Sequence, residues 1–209
     1  MWGRQPWWDG TVRCADGMHQ IWTGNLLLRT LMSCELSLAT AGASDSGAQR
    51  WLGWRPDQIV PPYERKRLLA KRARHLGAVW RQSAVASPTE MLAIDPVGRR
   101  YAGLVSIDPE KHEMGGWLAP DYRGRGLGAE LFAAGAWFGH RHLGLSDIWA
   151  GIEPANVASG GALRSAGFRL VEGPPTHTLP DRRIVPAAWF HHGDSSALAC
   201  EEAVSDLSM

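Results

Sequence analysis

Long apolar runs, paired cysteines and an excess of one charge are all missing from this 209-residue sequence. No apolar stretch approaches the ~18 residues that a spanning helix needs, so no membrane segment is expected. The first residues, with Trp2, Arg4, Trp7, Trp8 and Asp9, have neither the apolar core nor the small-residue cleavage site of a signal peptide, and the expected location is the cytoplasm. Cys14, Cys34 and Cys200 are far apart, with no C-x-x-C pair, which argues against a disulfide framework or a zinc site. Cys34 reads as a small buried apolar residue in a helical segment. The eight histidines, including His140/His142 and His191/His192, have no carboxylate or cysteine at ligand spacing; they read as surface or capping residues, and no metal is expected. A net charge of +1 gives no global argument for nucleic acid. No linker divides the chain, so one domain with decorated ends is expected. These parts are a Trp-rich arm over 1–23, the main domain over 24–192, and a tail over 193–209 with Glu201, Glu202 and Asp206, expected to be mobile or one loose helix.

What the chain does have is glycine concentrated in one place. From Glu113 to Gly144 an apolar run meets a glycine- and arginine-rich loop that opens into a helix. The strand is Met114 to Leu118, stopped by Pro120, which has no N–H for a sheet ladder and restrains the residue before it. The helix begins near Gly126. Leu127, Leu131, Ala134 and Phe138 form its buried stripe, and Gly144 follows the basic last turn as its C-cap. Between strand and helix lie Arg123, Gly124, Arg125, Gly126, Leu127 and Gly128. Glycines without Cβ atoms let successive N–H groups face a ligand at the positive end of the helix dipole, which is an anion site suited to phosphates. Gly124-x-Gly126-x-x-Ala129 also fits a dinucleotide fingerprint. Against that reading, the strand lies in mid-chain behind hairpin-like segments and Pro120 ends it early. No acidic residue closes the next strand either, since Asp147 precedes it.

The remaining chain is expected to supply strands around this unit. The Trp-rich arm packs as a hairpin closing the sheet, as a homodimer contact, or as a lid. Asn25 to Leu31 is a buried strand, followed by short helices over Ser33 to Ala41 and Ser44 to Leu52, with Asp45 at the second dipole. A helix over Pro61 to Leu76 buries Leu68, Leu69, Ala73 and Leu76 and carries Arg65, Lys66, Arg67, Lys71, Arg72 and Arg74, most simply as a solvated face. Strands over Glu90 to Asp95 and Arg100 to Ile107 precede the Glu113 strand. Asp147 to Ile152 is a further strand, Asn156 caps a helix, and Phe168 to Val171 with Arg183 to His191 completes the sheet, Pro186 marking an edge or bulge.

The spacing Arg123-x-x-Gly126-x-Gly128 after Leu118-Ala119-Pro120 resembles the pyrophosphate loop of the GNAT superfamily of acetyl-CoA-dependent N-acyltransferases. Glu113 to Leu118 ahead of it, and Asn156 to Ser159 through Leu163 to Gly167-Phe168 behind it, are similar to the branch containing the ribosomal-protein N-terminal acetyltransferases. The resemblance is dense from about Glu113 to Val171 and thinner from Asn25 to Ile107. It implies an α/β (α+β) fold: a central mixed, mostly antiparallel twisted sheet of about seven strands, flanked by helices and splayed between two strands around the CoA site. It implies acetyl-CoA, or another acyl-CoA, as co-substrate and a small-molecule or peptide amine as acceptor. Trp117, Leu118 and Arg123 to Gly128 would hold CoA with Asn156, while Trp51 and Trp54, beside Gln49 and Arg50, would meet the acceptor. Glu113 is the first candidate base and Glu153 the second. The tyrosine many such enzymes carry seven residues after the asparagine is Leu163 here, so Ser159 is the candidate acid and Tyr122 the alternative. The loop from Gly173 to Arg182 would set acceptor specificity. Gly160 and Gly161, which weaken their helix, would admit the cofactor. A CoA-binding sensor without turnover fits the missing tyrosine.

Overall fold

A computed structural model of the chain describes residues 8–15, for their backbone, and residues 18–71 and 84–193 in full. Trp2 and Trp7, Arg72 to Leu76, Cys200 and the tail beyond 193 lie outside the described residues. The element order is β1 (Trp8–Ala15), β2 (Met18–Thr23), β3 (Leu27–Met32), α1 (Leu36–Ala43), α2 (Ser46–Leu52), α3 (Pro62–Leu69), β4 (Val85–Asp95), β5 (Arg100–Asp108) and β6 (Glu113–Leu118). Then come α4 (Leu127–Arg141), β7 (Asp147–Ile152), α5 (Val157–Ser165), β8 (Arg169–Val171), β9 (Thr176–Thr178), β10 (Ile184–Pro186) and β11 (Ala188–Gly193).

Nine strands form one sheet in the order β1-β2-β3-β4-β5-β6-β7-β11-β8. Seven come from the main domain as expected, and the β1–β2 hairpin extends the β3 edge. Every pairing is antiparallel except β6 with β7. That parallel pair meets at one register position, Glu113 with Trp149, supported by the Trp149 N–H donating to the His112 carbonyl at 2.8 Å. Beyond it β6 runs on to Leu118 and β7 to Ile152 without a shared ladder among the described residues, and the sheet opens.

The core lies between this sheet and its helices. β3 is buried at all six positions, the pattern of a strand covered on both faces. The predicted stripe of α4 is fully buried. Two glycines explain how closely α4 lies on the sheet: a Cβ at Gly135 would stand 2.7 Å from Val105, and one at Gly139 would stand 2.5 Å from Ile148. Deep charges are ion-paired or hydrogen-bonded, as burial demands. Arg29 binds Glu35. Glu130 on α4 accepts from the hydroxyl of Thr23 and from the backbone N–H of Asn25 at 3.0 Å, tying the entrance of β3 to the helix.

Several expectations are corrected. Cys34 is exposed, because its segment is a short 3₁₀ turn before α1. His140 is buried, with Nδ1 on the Leu145 carbonyl at 2.6 Å and Nε2 3.0 Å from His192, so it belongs to the core. The helix cap is His142, with Gly144 two residues on at φ 70°. The run from Arg183 to His191 is two strands, since Pro186 ends β10 on a separate ribbon with β9 and Ala188 starts β11 between β7 and β8.

Candidate functional site

The divergence of β6 and β7 leaves a cleft of about 810 Å³, walled by β6, the start of α4, the end of β7, α5, α2 and the β9–β10 ribbon. Its floor is the loop expected to bind an anion. Gly124 and Gly126 sit at φ 71° and 78°, and a Cβ on either would meet nothing within 4 Å. The two glycines are there for backbone conformation, since side chains rarely adopt that region. Gly126 is the N-cap of α4, where the first-turn N–H groups have no intrahelical acceptor. Gly128 has a different reason: a Cβ there would stand 3.0 Å from Ala162 of α5. Loop and first turn together form an open, positive cradle that fits a pyrophosphate.

Arg123 lines this cradle, but its guanidinium is already engaged. Nε donates to the Leu118 carbonyl at 2.9 Å, and the two terminal nitrogens meet both oxygens of Asp45 at 2.8 and 2.6 Å. Asp45 also caps α2 by accepting from Ala48 N–H. Burial alone would push the Asp45 carboxyl up, but the bonds from Arg123 and Ala48 outweigh it and leave it below its ordinary value. Arg123 therefore ties α2 to the glycine loop. Arg125 is exposed and lies over the Tyr122 ring at 5.4 Å.

On the other side, Asn156 caps α5 by accepting from Ser159 N–H at 3.2 Å, and both residues line the cleft. Leu163 and Gly161 line it too. A Cβ at Gly161 would meet nothing within 4 Å, whereas Gly160 packs against Ile152 and Phe190, so only Gly161 faces the opening. Glu153 lines the cleft at the end of β7.

Two candidates stand elsewhere. Glu113 lies at the closed end, where β6 still pairs with β7, and the lining of β6 begins with Met114. Met114 faces Gly135 of α4, so by strand alternation Glu113 shares the opposite face with Gly115 and Trp117. Tyr122 is buried and turned away: its hydroxyl donates to Asp95 at 3.1 Å, and burial with the nearby Asp95 carboxylate pushes its pKa up to about 12. It is corrected from candidate acid to a brace of the loop.

The face opposite α4 is aromatic. Trp117 lines the cleft and donates from Nε1 to the Tyr101 hydroxyl at 2.9 Å, which in turn donates to the Ala39 carbonyl of α1. Trp51 lines the cleft from α2 with Arg50 over its ring at 4.4 Å. Trp54 stands behind, edge-on to Trp117 at 5.2 Å, a supporting position. Gln49 is likewise structural, donating to the Ala43 carbonyl and accepting from Trp54 N–H. The β9–β10 ribbon closes this side with His177, Leu179, Pro180 and Val185. It docks on α2 through Arg183, which donates to the Arg50 carbonyl at 3.2 Å and is oriented by Asp181. The expected specificity loop contains three of these residues. Val185 falls in the run from Arg183 to His191 expected to pair with Phe168 to Val171, and only the edge or bulge marked by Pro186 hints otherwise.

A strand, glycine loop and helix inside a mostly antiparallel sheet that splays between β6 and β7 define an acyltransferase-like fold. The model for the acetyltransferase (GNAT) domain matches residues 25–169, and the chain belongs to that family. A search of curated proteins finds no match. Among solved structures, spermidine N-acetyltransferase from Vibrio cholerae, in complex with CoA and spermine, superposes with a TM-score of 0.57 at 14% identity, covering 83% of this chain and 98% of that one. Ribosomal-protein-S5-alanine acetyltransferase from Vibrio fischeri gives 0.57 at 16%, covering 84% and 97%. An aminoglycoside acetyltransferase in complex with coenzyme A gives 0.54 at 19%, covering 83% and 98%. At these identities the likeness is one of fold. Among the described residues, no helix is long and apolar enough to cross a membrane.

Proposed function

We propose that the protein is an acetyl-CoA-dependent N-acetyltransferase that acylates a primary amine, of a small molecule, peptide or protein, by direct attack in a ternary complex. The observation that carries this reading is the left-handed glycine loop at the start of α4 opening straight into the gap between β6 and β7. The loop offers backbone donors for a pyrophosphate, and the unpaired edges of β6 and β7 offer a slot for an extended arm. Acetyl-CoA supplies the activated acyl group as a thioester.

The chain's own residues divide the remaining work. From Leu118 back to Met114 the strand spans about 13 Å, four steps of roughly 3.3 Å. An arm following β6 from the loop therefore ends beside Glu113. Glu113 takes the proton of the incoming ammonium, directly or through one water, and Glu153 at the mouth is the competing base. Asn156 holds an amide of the arm. Ser159, in the first turn of α5, relays a proton to the departing thiolate, its hydroxyl taking one from water as it gives one up; the thiolate is a tolerable leaving group at a thiol pKa near 8.5.

A second reading, a CoA-binding sensor, is favoured by one observation: Leu163 lines the cleft with no proton to donate. Thioester consumption measured with acetyl-CoA and a panel of primary amines separates the two. Acetylated product is expected, and tight acetyl-CoA binding with no amine turned over would leave the sensor.

A further inference from the structure

We infer that the acceptor is a monoamine carrying an aromatic or branched apolar group next to its single ammonium, and not a polycation. This rests on the transferase reading and specifies its acceptor. The argument starts from charge. A polyamine or aminocyclitol brings several ammonium groups that lose water on entering a cleft, and each needs a carboxylate or an equivalent set of acceptors. Among the described lining residues the acidic side chains reduce to Glu153. Two carboxylates beside the aromatic side are engaged: Asp45 by both arms of Arg123, and Asp181 by Arg183. Glu113 at the closed end is the base that meets the one reacting nitrogen, so among the described lining residues Glu153 at the mouth is the one carboxylate left, too little for the several further charges of a polycation.

What the wall offers instead is apolar surface in a fixed arrangement. Trp51 comes from α2, Trp117 from β6, and Leu179 and Val185 from the ribbon. Trp117 is pinned by its bond to Tyr101 and by Trp54 against its ring, so its indole presents a set face at little entropic cost on binding. Leu179 is packed against α2 at Gly53, where an added Cβ would stand 2.8 Å from it. Such a wall gains by covering an aromatic or branched group, at roughly 25 cal/mol per Å² of apolar surface removed from water. The indoles also hold one ammonium over a π face as it approaches. The same chemistry occurs in a free arylalkyl or branched amine and in the N-terminal residue of a peptide.

The test measures kcat/KM at saturating acetyl-CoA for phenethylamine, a tripeptide with N-terminal phenylalanine, spermidine and kanamycin. Calorimetry of the same four on CoA-saturated protein runs alongside. We expect phenethylamine or the tripeptide, whichever source the cleft admits, to exceed spermidine and kanamycin by 10²-fold or more. Val185→Asp, a half-buried position on a two-stranded ribbon, should cut phenethylamine kcat/KM by at least tenfold and raise that of spermidine, with CoA affinity retained. Trp51→Ala should weaken phenethylamine binding about tenfold. Equal or better use of spermidine or kanamycin by the wild type overturns the inference, as does a Val185→Asp variant whose selectivity does not move. Binding of phenethylamine without its acetylation would sink the transferase reading and leave the acceptor class standing.

Discussion

The two walls of the cleft are built by opposite means. The glycine wall, from β6 through the loop into α4 and α5, is nearly continuous in sequence, and its work is done by backbone: N–H groups at a helix start, two left-handed glycines, and strand edges left unpaired by a splay. The aromatic wall draws on α2, Trp117 and the β9–β10 ribbon. It is held by contacts that join residues 78 apart, Arg123 with Asp45, and 133 apart, Arg183 with the Arg50 carbonyl. Backbone recognition suits a ligand shared by a whole family, because it constrains only conformation. Side-chain recognition suits a ligand that differs from one member to the next, because indoles and aliphatics can be exchanged without disturbing the loop.

The largest expected effect breaks the glycine wall alone. Gly126→Val forces a β-branched residue to φ 78°, and Gly128→Val pushes a side chain into Ala162. Either should weaken CoA binding by 10²-fold or more in calorimetry while circular dichroism shows the fold retained. Undiminished affinity would remove the loop from the site.

Next in size are the two carboxylates at the two ends of the cleft. Glu113→Gln should lower turnover about 10²-fold near neutral pH, within the usual range for a general base. The loss should shrink as pH rises, because the amine then arrives already deprotonated. If Glu153→Gln shows that pH-dependent loss instead, the base belongs to the mouth and the thioester lies nearer the loop. Ser159→Ala should cost less, roughly tenfold to 10²-fold in turnover with acetyl-CoA affinity unchanged. A wild-type rate for that variant would hand the proton transfer to solvent.

The smallest effect concerns the tie between the walls. Asp45→Asn keeps an α2 cap but loses the charge that holds Arg123, so we expect a severalfold rise in amine KM and a modest rise in acetyl-CoA Kd. The pH dependence has a fixed sign. The folded Asp45 pKa is below its ordinary 3.8, so the stabilisation is complete above that value and is lost as pH falls through the depressed one. Acid unfolding followed by tryptophan fluorescence should set in at higher pH in the variant, and identical acid transitions would count against the tie.

Much of the fold and half of the site were legible beforehand. The β6–loop–α4 unit could be read because strand stop, glycine spacing and helical stripe lie within one stretch, each with a local physical cause. Asn156 was legible as a cap, and Asp45 as a charge at the start of α2, for the same reason. Tyr122 misled because a tyrosine beside a phosphate loop carries no local sign that its hydroxyl is spent on Asp95, a partner from β4. Cys34 and His140 misled through burial, which is a property of what packs against a residue. Glu113 was read from its place on the strand; that the lining starts one residue later follows from where β6 and β7 part.

The sequence by itself determined the family, the order of the strands around the loop and the glycine-shaped backbone at the start of α4, because these depend on residues close along the chain and on dihedral preferences that glycine and proline impose. Only the tertiary structure decided which carboxylates are free, which tryptophans face the cleft, and that a ribbon ending at Pro186 roofs it over α2. Those depend on contacts between distant parts of the chain, 78 residues for Arg123 with Asp45 and 133 for Arg183 with the Arg50 carbonyl, where a charge or a ring has its role set by the partner the fold brings to it.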